Sequence, residues 1–243
     1  MKQNTLNQLK DIVETYDRYM RVMEHDAAKA VKEDSRAYGG FVRAAKGKMQ
    51  EYITEKLIRV TWEVELDKPS RDLNINSEKI RIPIQMDYVN RIKDTTVRDY
   101  ILTNIRKFHY GLSVDKHVFV NGKLVIGVEC KAYTENAMIK RILVDFHLLK
   151  TKAPKMLCYL FQLESQLGGD YSAVVQRPNG SQPTHTLMSY FNDVDLKVVT
   201  LLAGERKVDC PINKPQFFKP LTLERLEMAI EILVAGFREC DLT

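Results

Sequence analysis

At 243 residues, 44% hydrophobic and 28% charged, the chain is long enough to bury a sizeable core without disulfide or metal staples. Its formal net charge of +5 is compatible with an anionic partner but does not by itself indicate nucleic acid. Cys130, Cys158, Cys210 and Cys240 have no CxxC spacing, no apolar run approaches the ~20 residues of a membrane span, and the N-terminus has no signal-peptide core, so a zinc ribbon, a disulfide scaffold and a membrane span are excluded and a reducing, cytoplasmic setting is expected.

Taken in order, residues 4 to 33 read as one helix, with Leu9, Ile12, Val13, Tyr16, Met20 and Met23 at helical spacing and charges on the other face. This helix suits either a core or a subunit interface. Ser35 to Gly40 breaks the pattern, and a second helix is expected over 41 to 59, burying Val42, Ala45, Met49, Ile53 and Leu57. Gly47 and Glu51 share one side of it, near the edge of that apolar face. Residues 60 to 66, VTWEVEL, alternate like a strand with one wet face. A polar loop over 68 to 76 follows, then a short strand over 79 to 84 and a helical region over 85 to 108 with a basic side made by Arg91, Lys93, Arg98, Arg106 and Lys107. Those charges suit a solvated face or a DNA-facing one.

The stretch from Tyr110 to Lys150 organises the chain. It holds Asp115, a turn signal at Asn121-Gly122, a second apolar run that ends in Glu129-Cys130-Lys131, and an amphipathic segment over 135 to 150 that Thr134 is placed to cap. Strand residues alternate faces, so the turn decides whether Asp115 joins Glu129 and Lys131. A two-residue loop at Asn121-Gly122 in a regular ladder pairs Val120 with Lys123 and Asp115 with Val128, which puts Asp115 on the wrong face. A three-residue bulged turn, or a bulge elsewhere in the ladder, shifts the pairing by one and brings the three together. Residues 156 to 163 form a continuous apolar run, which implies a doubly buried strand reached by a right-handed crossover. A helix over 184 to 192, a strand over 196 to 202 and a last helix over 222 to 238 opened by Thr222 complete one α/β domain over 1 to 243. Within it, 1 to 40 is an N-terminal helical extension, 41 to 205 a core and 206 to 243 a C-terminal helical region.

Such a constellation suits phosphodiester hydrolysis, which needs an activated water, neutralisation of charge on the phosphate and help for the leaving oxygen. One or two Mg²⁺ ions held by carboxylates serve all three needs. Asp115 and Glu129 are the expected ligands, with the Cys130 backbone carbonyl as a third and Glu51 approaching from the second helix, directly or through water. Lys131, two residues from Glu129, projects from the same strand face, where its ammonium would stabilise charge at the phosphate or lower the pKa of the attacking water. A bare Glu-X-Lys arises often by chance, and an edge hairpin with a surface ion pair is the bland reading. The apolar VIGV before the triplet is unsuited to an exposed edge.

Residues 41 to 202 resemble a type II restriction endonuclease of the PD-(D/E)XK superfamily, through Gly47-X-X-X-Glu51, Ser113-Val114-Asp115 and Gly127-Val128-Glu129-Cys130-Lys131 followed by helix, buried strand, helix and strand. Val114 stands where the motif's name has proline, a position that varies in the superfamily. The resemblance implies a restriction-endonuclease-like α/β core with a mixed central β-sheet flanked by helices, added N-terminal and C-terminal helices, Mg²⁺-dependent double-stranded DNA cleavage within a restriction-modification pair, and a homodimer with one active site per strand.

Base contacts would come from polar side chains on loops and helix ends. The candidates are Tyr133, Thr134, Asn136, Lys140 and Arg141 after the lysine, and Arg177, Asn179 and Gln182 in a second polar loop; both segments equally suit ordinary solvent loops. His109, His117, His147 and His185 have no metal spacing, and a structural role is expected of each. Rival readings are a structure-specific nuclease or resolvase using the same site, and a non-catalytic DNA-binding protein in which the motif is decayed.

Overall fold

In the computed structural model, residues 1–30, 35–169, 171, 179–210, 212 and 214–240 are described, those at 26–30 and 35–39 by backbone alone. Helix α1 spans Gln3–Ala30 and α2 Ser35–Arg59, so the break expected at 35 to 40 falls inside α2. Residues 60 to 66 do not form a strand. Val60–Glu65 continues α2 as a π-helical turn, closed by the Leu66 amide donating to the Thr61 carbonyl at 2.9 Å. The alternating pattern misleads because Val60, Thr61 and Trp62 are all buried, on tertiary contacts that the local sequence does not reveal. The Thr61 hydroxyl donates back to the Leu57 carbonyl, and the Trp62 ring lies 5.2 Å from that of Phe237.

The loop expected over 68 to 76 holds a 3₁₀ turn, Ser70–Asp72, and strand β1, Leu73–Asn76. Strands β2 (Ile80–Pro83) and β3 (His109–Leu112) form a separate antiparallel ribbon. Between them, two short helices and a 3₁₀ turn replace the single helical region: α3 (Met86–Arg91), α4 (Thr95–Thr103) and Ile105–Lys107. Asp94 ends the continuity by capping α4, its carboxylate accepting from the Val97 amide at 3.1 Å.

The central sheet has the order β1-β4-β5-β6-β7, where β4 is Lys116–Val120, β5 Lys123–Thr134, β6 Leu157–Ser165 and β7 Leu196–Thr200. It is mixed, as expected: β1, β4 and β5 are antiparallel, and β5, β6 and β7 run parallel. Helix α5, Asn136–Lys150, makes the crossover from β5 to β6. Thr134 does not cap it; Glu135 holds the cap position without a side-chain bond, and Thr134 is the buried last residue of β5. Two more helices follow, α6 (Gln182–Ser189, capped by Ser181) and α7 (Leu223–Glu239).

Two cores result, one on each face of the sheet. Leu9, Tyr16, Ile53, Leu57, Trp62, Leu233 and Phe237 from α1, α2, the π turn and α7 pack on Val128, Cys130, Tyr159 and Phe161. Ile139, Leu143 and Phe146 of α5 pack on Cys158 and Leu160, together with Ile82 and Leu112 of the ribbon. Gly127 lets α5 approach, since a Cβ there would lie 3.0 Å from Phe146 and 3.1 Å from the Met156 sulfur.

Candidate active site and related proteins

The hairpin geometry decides which side chains meet. Asn121 and Gly122 take φ of 50° and 77°, the left-handed pair of a two-residue type I′ turn, and Val120 pairs with Lys123. The ladder is not regular, however. Its register shifts between Val118, opposite Ile126, and Phe119, opposite Leu124, leaving Val125 as an extra residue on β5. Lys116 then pairs with Val128, which sets Asp115 beside Glu129. The shift that brings Asp115 onto the face of Glu129 and Lys131 is therefore made by a bulge in the strand and not by the turn.

Three oxygens converge on one ammonium. Lys131 Nζ lies 2.5 Å from Glu129 Oε2, 3.2 Å from Asp115 Oδ2 and 3.2 Å from the Cys130 carbonyl. The Cys130 amide donates to the same Asp115 oxygen at 2.7 Å, so the backbone of β5 fixes the aspartate in place. Glu129 is 7% exposed, and burial, with the negative charge of Asp115 added, pushes its pKa up to about 7 against the pull of Lys131. Burial works against the Lys131 ammonium, but the two carboxylates outweigh it and hold its pKa above the ordinary lysine value.

Glu51 is half-buried on α2 and acts on Cys130 electrostatically, but among the described residues no three acidic, histidine or cysteine groups converge as a metal cluster. The Cys130 thiol faces α2, where Thr54 hydrogen-bonds to it, and its pKa is raised by burial. One turn beyond Glu51, Glu55 accepts from Lys116 Nζ at 3.0 Å, tying α2 to β4 next to Asp115. His117 is fully buried, and its Nε2 accepts the Val114 amide at 3.4 Å, which steadies the approach to Asp115.

The base-contact candidates are scattered in their environments. Tyr133 lies under the Arg206 guanidinium, 4.0 Å from its ring, while Thr134 is fully buried. The Asn136 side chain is engaged, donating to Ser181 Oγ at 3.3 Å and accepting from Thr184 Oγ1 at 2.6 Å. Lys140, Arg141 and Gln182 are exposed, Asn179 is half-buried, and Arg177 lies outside the described residues. His147 pairs with Asp193 at 2.8 Å. Thr54, Glu55, Lys116 and Arg206 escaped the sequence reading. Thr54 lies one helical turn from Glu51, a signal that spacing offers, whereas Arg206 is distant in sequence from Tyr133 and carries none.

No family model matches the chain. A solved structure described as the native BbvCI A2B2 tetramer at low resolution covers 98% of each chain at 10% identity, with a TM-score of 0.32 too low to support any argument. The chain is 62% identical over 239 residues to the type II restriction enzyme DdeI of Desulfomicrobium norvegicum, covering 98% of this chain and 100% of that protein. At that identity and coverage, the chain belongs to the type II restriction enzymes.

Proposed function

We propose that the chain hydrolyses phosphodiester bonds of double-stranded DNA at a specific sequence, with Mg²⁺ as cofactor and Asp115, Glu129 and Lys131 as the catalytic residues. The observation that carries this reading is the convergence of the Asp115, Glu129 and Cys130 oxygens on a single positive charge. An oxygen set that gathers around an ammonium has the hard donors and the negative charge that suit a magnesium ion. Asp115, Glu129 and the Cys130 carbonyl would hold it, with Glu51 as a further carboxylate reached through water. When bound, Mg²⁺ supplies charge neutralisation at the phosphate and a more acidic attacking water.

The protein's own groups do the rest. Asp115 is immobilised by the Cys130 amide, so its free oxygen needs no reorganisation at the moment of reaction. In the metal-free site burial and the Asp115 charge raise the Glu129 pKa to about 7, so holding the cation means giving up that proton, and cation affinity should rise with pH through the neutral range. Lys131 stays protonated and is about one-third exposed, so its ammonium reaches from the two carboxylates toward a phosphate oxygen at the surface.

Tyr133, Asn136, Lys140, Arg141, Asn179 and Gln182 remain the proposed DNA contacts, together with Arg177 outside the described residues, and the buried Thr134 ends the strand that carries Tyr133. The functional unit is a homodimer of single-domain subunits acting in the cytoplasm. The test is incubation of the full chain with phage DNA and Mg²⁺. Discrete fragments are expected from the wild type, and Lys131→Ala should lower the rate at least a hundredfold. Unchanged cleavage by that variant would sink the site, and cleavage of branched DNA alone would favour a resolvase.

A further inference from the structure

Residues 77 to 112 are inserted between β1 and the hairpin that carries Asp115, and they form the β2–β3 ribbon with α3 and α4. Of these residues only Ile82, Val89, Ile101 and Leu112 are buried apolar side chains, while Met86, Tyr88, Val97, Tyr100, Leu102 and Tyr110 are exposed. The segment carries seven Lys and Arg against four Asp and Glu, which is more than half of the chain's net charge.

The ribbon has two unlike faces. Ile80, Ile82 and Leu112 point inward to the core that α5 shares. Arg81 and Gly111 are cross-strand partners on the opposite face, and the Lys79 stem crosses over the glycine, its Cδ 3.3 Å from where a Cβ would lie. Lys79 and Arg81 are exposed. A two-stranded ribbon is one of the two elements that fit the DNA major groove, about 12 Å wide. Exposed Arg91, Lys93, Arg106 and Lys107 flank it on the helices and turns of the same insertion. Two copies of this basic surface would repel each other, whereas a polyanion complements it.

We infer that the β2–β3 ribbon enters the major groove of the substrate, with Arg81 reading a base edge and Lys79 holding a phosphate. This inference rests on the proposed function. It places the reading residue on β2, directly across the ladder from Gly111 of β3, and β3 leads through Ser113 and Val114 into Asp115. Sequence recognition and the cleavage site are then joined by one strand pairing and a short stretch of backbone.

The test uses the full chain in metal-free buffer and a duplex enriched by the wild type from a random pool. Arg81→Gln should reduce the preference for that duplex over a scrambled one by about tenfold or more, as expected for loss of a bidentate base contact. Lys79→Gln should leave the preference intact and make the salt dependence of binding shallower by about one phosphate equivalent. Lys10→Gln, at an exposed position on α1, should change neither. The inference is overturned if the wild type enriches no duplex, if both ribbon variants bind as the wild type does, or if either variant shifts the sedimentation of the free protein, which would mark the face as a subunit contact. Binding is read here without cleavage, so failure of the Lys131 test and failure of this one are separate results.

Discussion

Glu129 sits where burial, a neighbouring carboxylate and a neighbouring ammonium compete, and burial with the carboxylate wins. The folded chain therefore holds this proton more tightly than the unfolded chain, in which the group titrates near 4.5. Below that value both states are protonated and the site costs nothing. Between 4.5 and about 7 only the unfolded state ionises, so stability falls as pH rises, and above about 7 the full cost is present. Glu129→Gln removes the cost, so in chelator-treated protein its stability relative to the wild type should improve on going from pH 5 to pH 8, by on the order of 1 kcal/mol or more. Urea melts at the two pH values measure this, and a flat difference would mean that the carboxyl is ionised throughout. That Asp115, Glu129 and Lys131 could meet was legible because Asp, turn and Glu-X-Lys are close in sequence. Their charge state was not, since it depends on how deeply the strand is buried.

At the scale of elements, the sequence yielded those whose burial is written locally. The run over 156 to 163 read as a doubly buried strand, and Leu157–Ser165 is buried along nearly all its length. The hairpin read as a parity conflict, and the conflict was real; its resolution at Val125 was not legible, because a bulge depends on how two strands fit each other. β1 was missed because Leu-Asn-Ile-Asn is an edge strand with a single fully buried residue, so its composition matches a loop. Gly127 was visible only as part of a motif, and its packing role emerged from the close approach of Phe146 and Met156. Gly127→Val should destabilise the protein by about 1–3 kcal/mol through overpacking, seen as a lower urea midpoint. A loss confined to activity would mean that α5 shifts at no cost.

For the molecule as a whole, helices cover both faces of one mixed sheet, and no helix among the described residues is long and apolar enough to cross a membrane. The proposed homodimer, with one site per strand, makes a prediction that no single subunit can satisfy. Mixing wild-type and Lys131→Ala subunits and allowing them to exchange should accumulate nicked circular plasmid, which the wild type alone passes through quickly. Electrophoresis reads the result, and a simple dilution of linear product would indicate that one subunit cuts both strands.

The run from Ser35 through Glu65 is one continuous helix, α-helical over about 38 Å to Arg59 at 1.5 Å per residue and π-helical beyond it. It is held at Trp62 by Phe237, at Glu55 by Lys116 and at Thr54 by Cys130. Anchors at Thr54 and Glu55 lie between the Trp62 contact and Glu51, so the position of Glu51 is set by the strands of the hairpin and not by the far end of the helix. The C-terminal helix and the hairpin are thereby fastened to one common strut, and the proposed centre inherits its spacing from that strut.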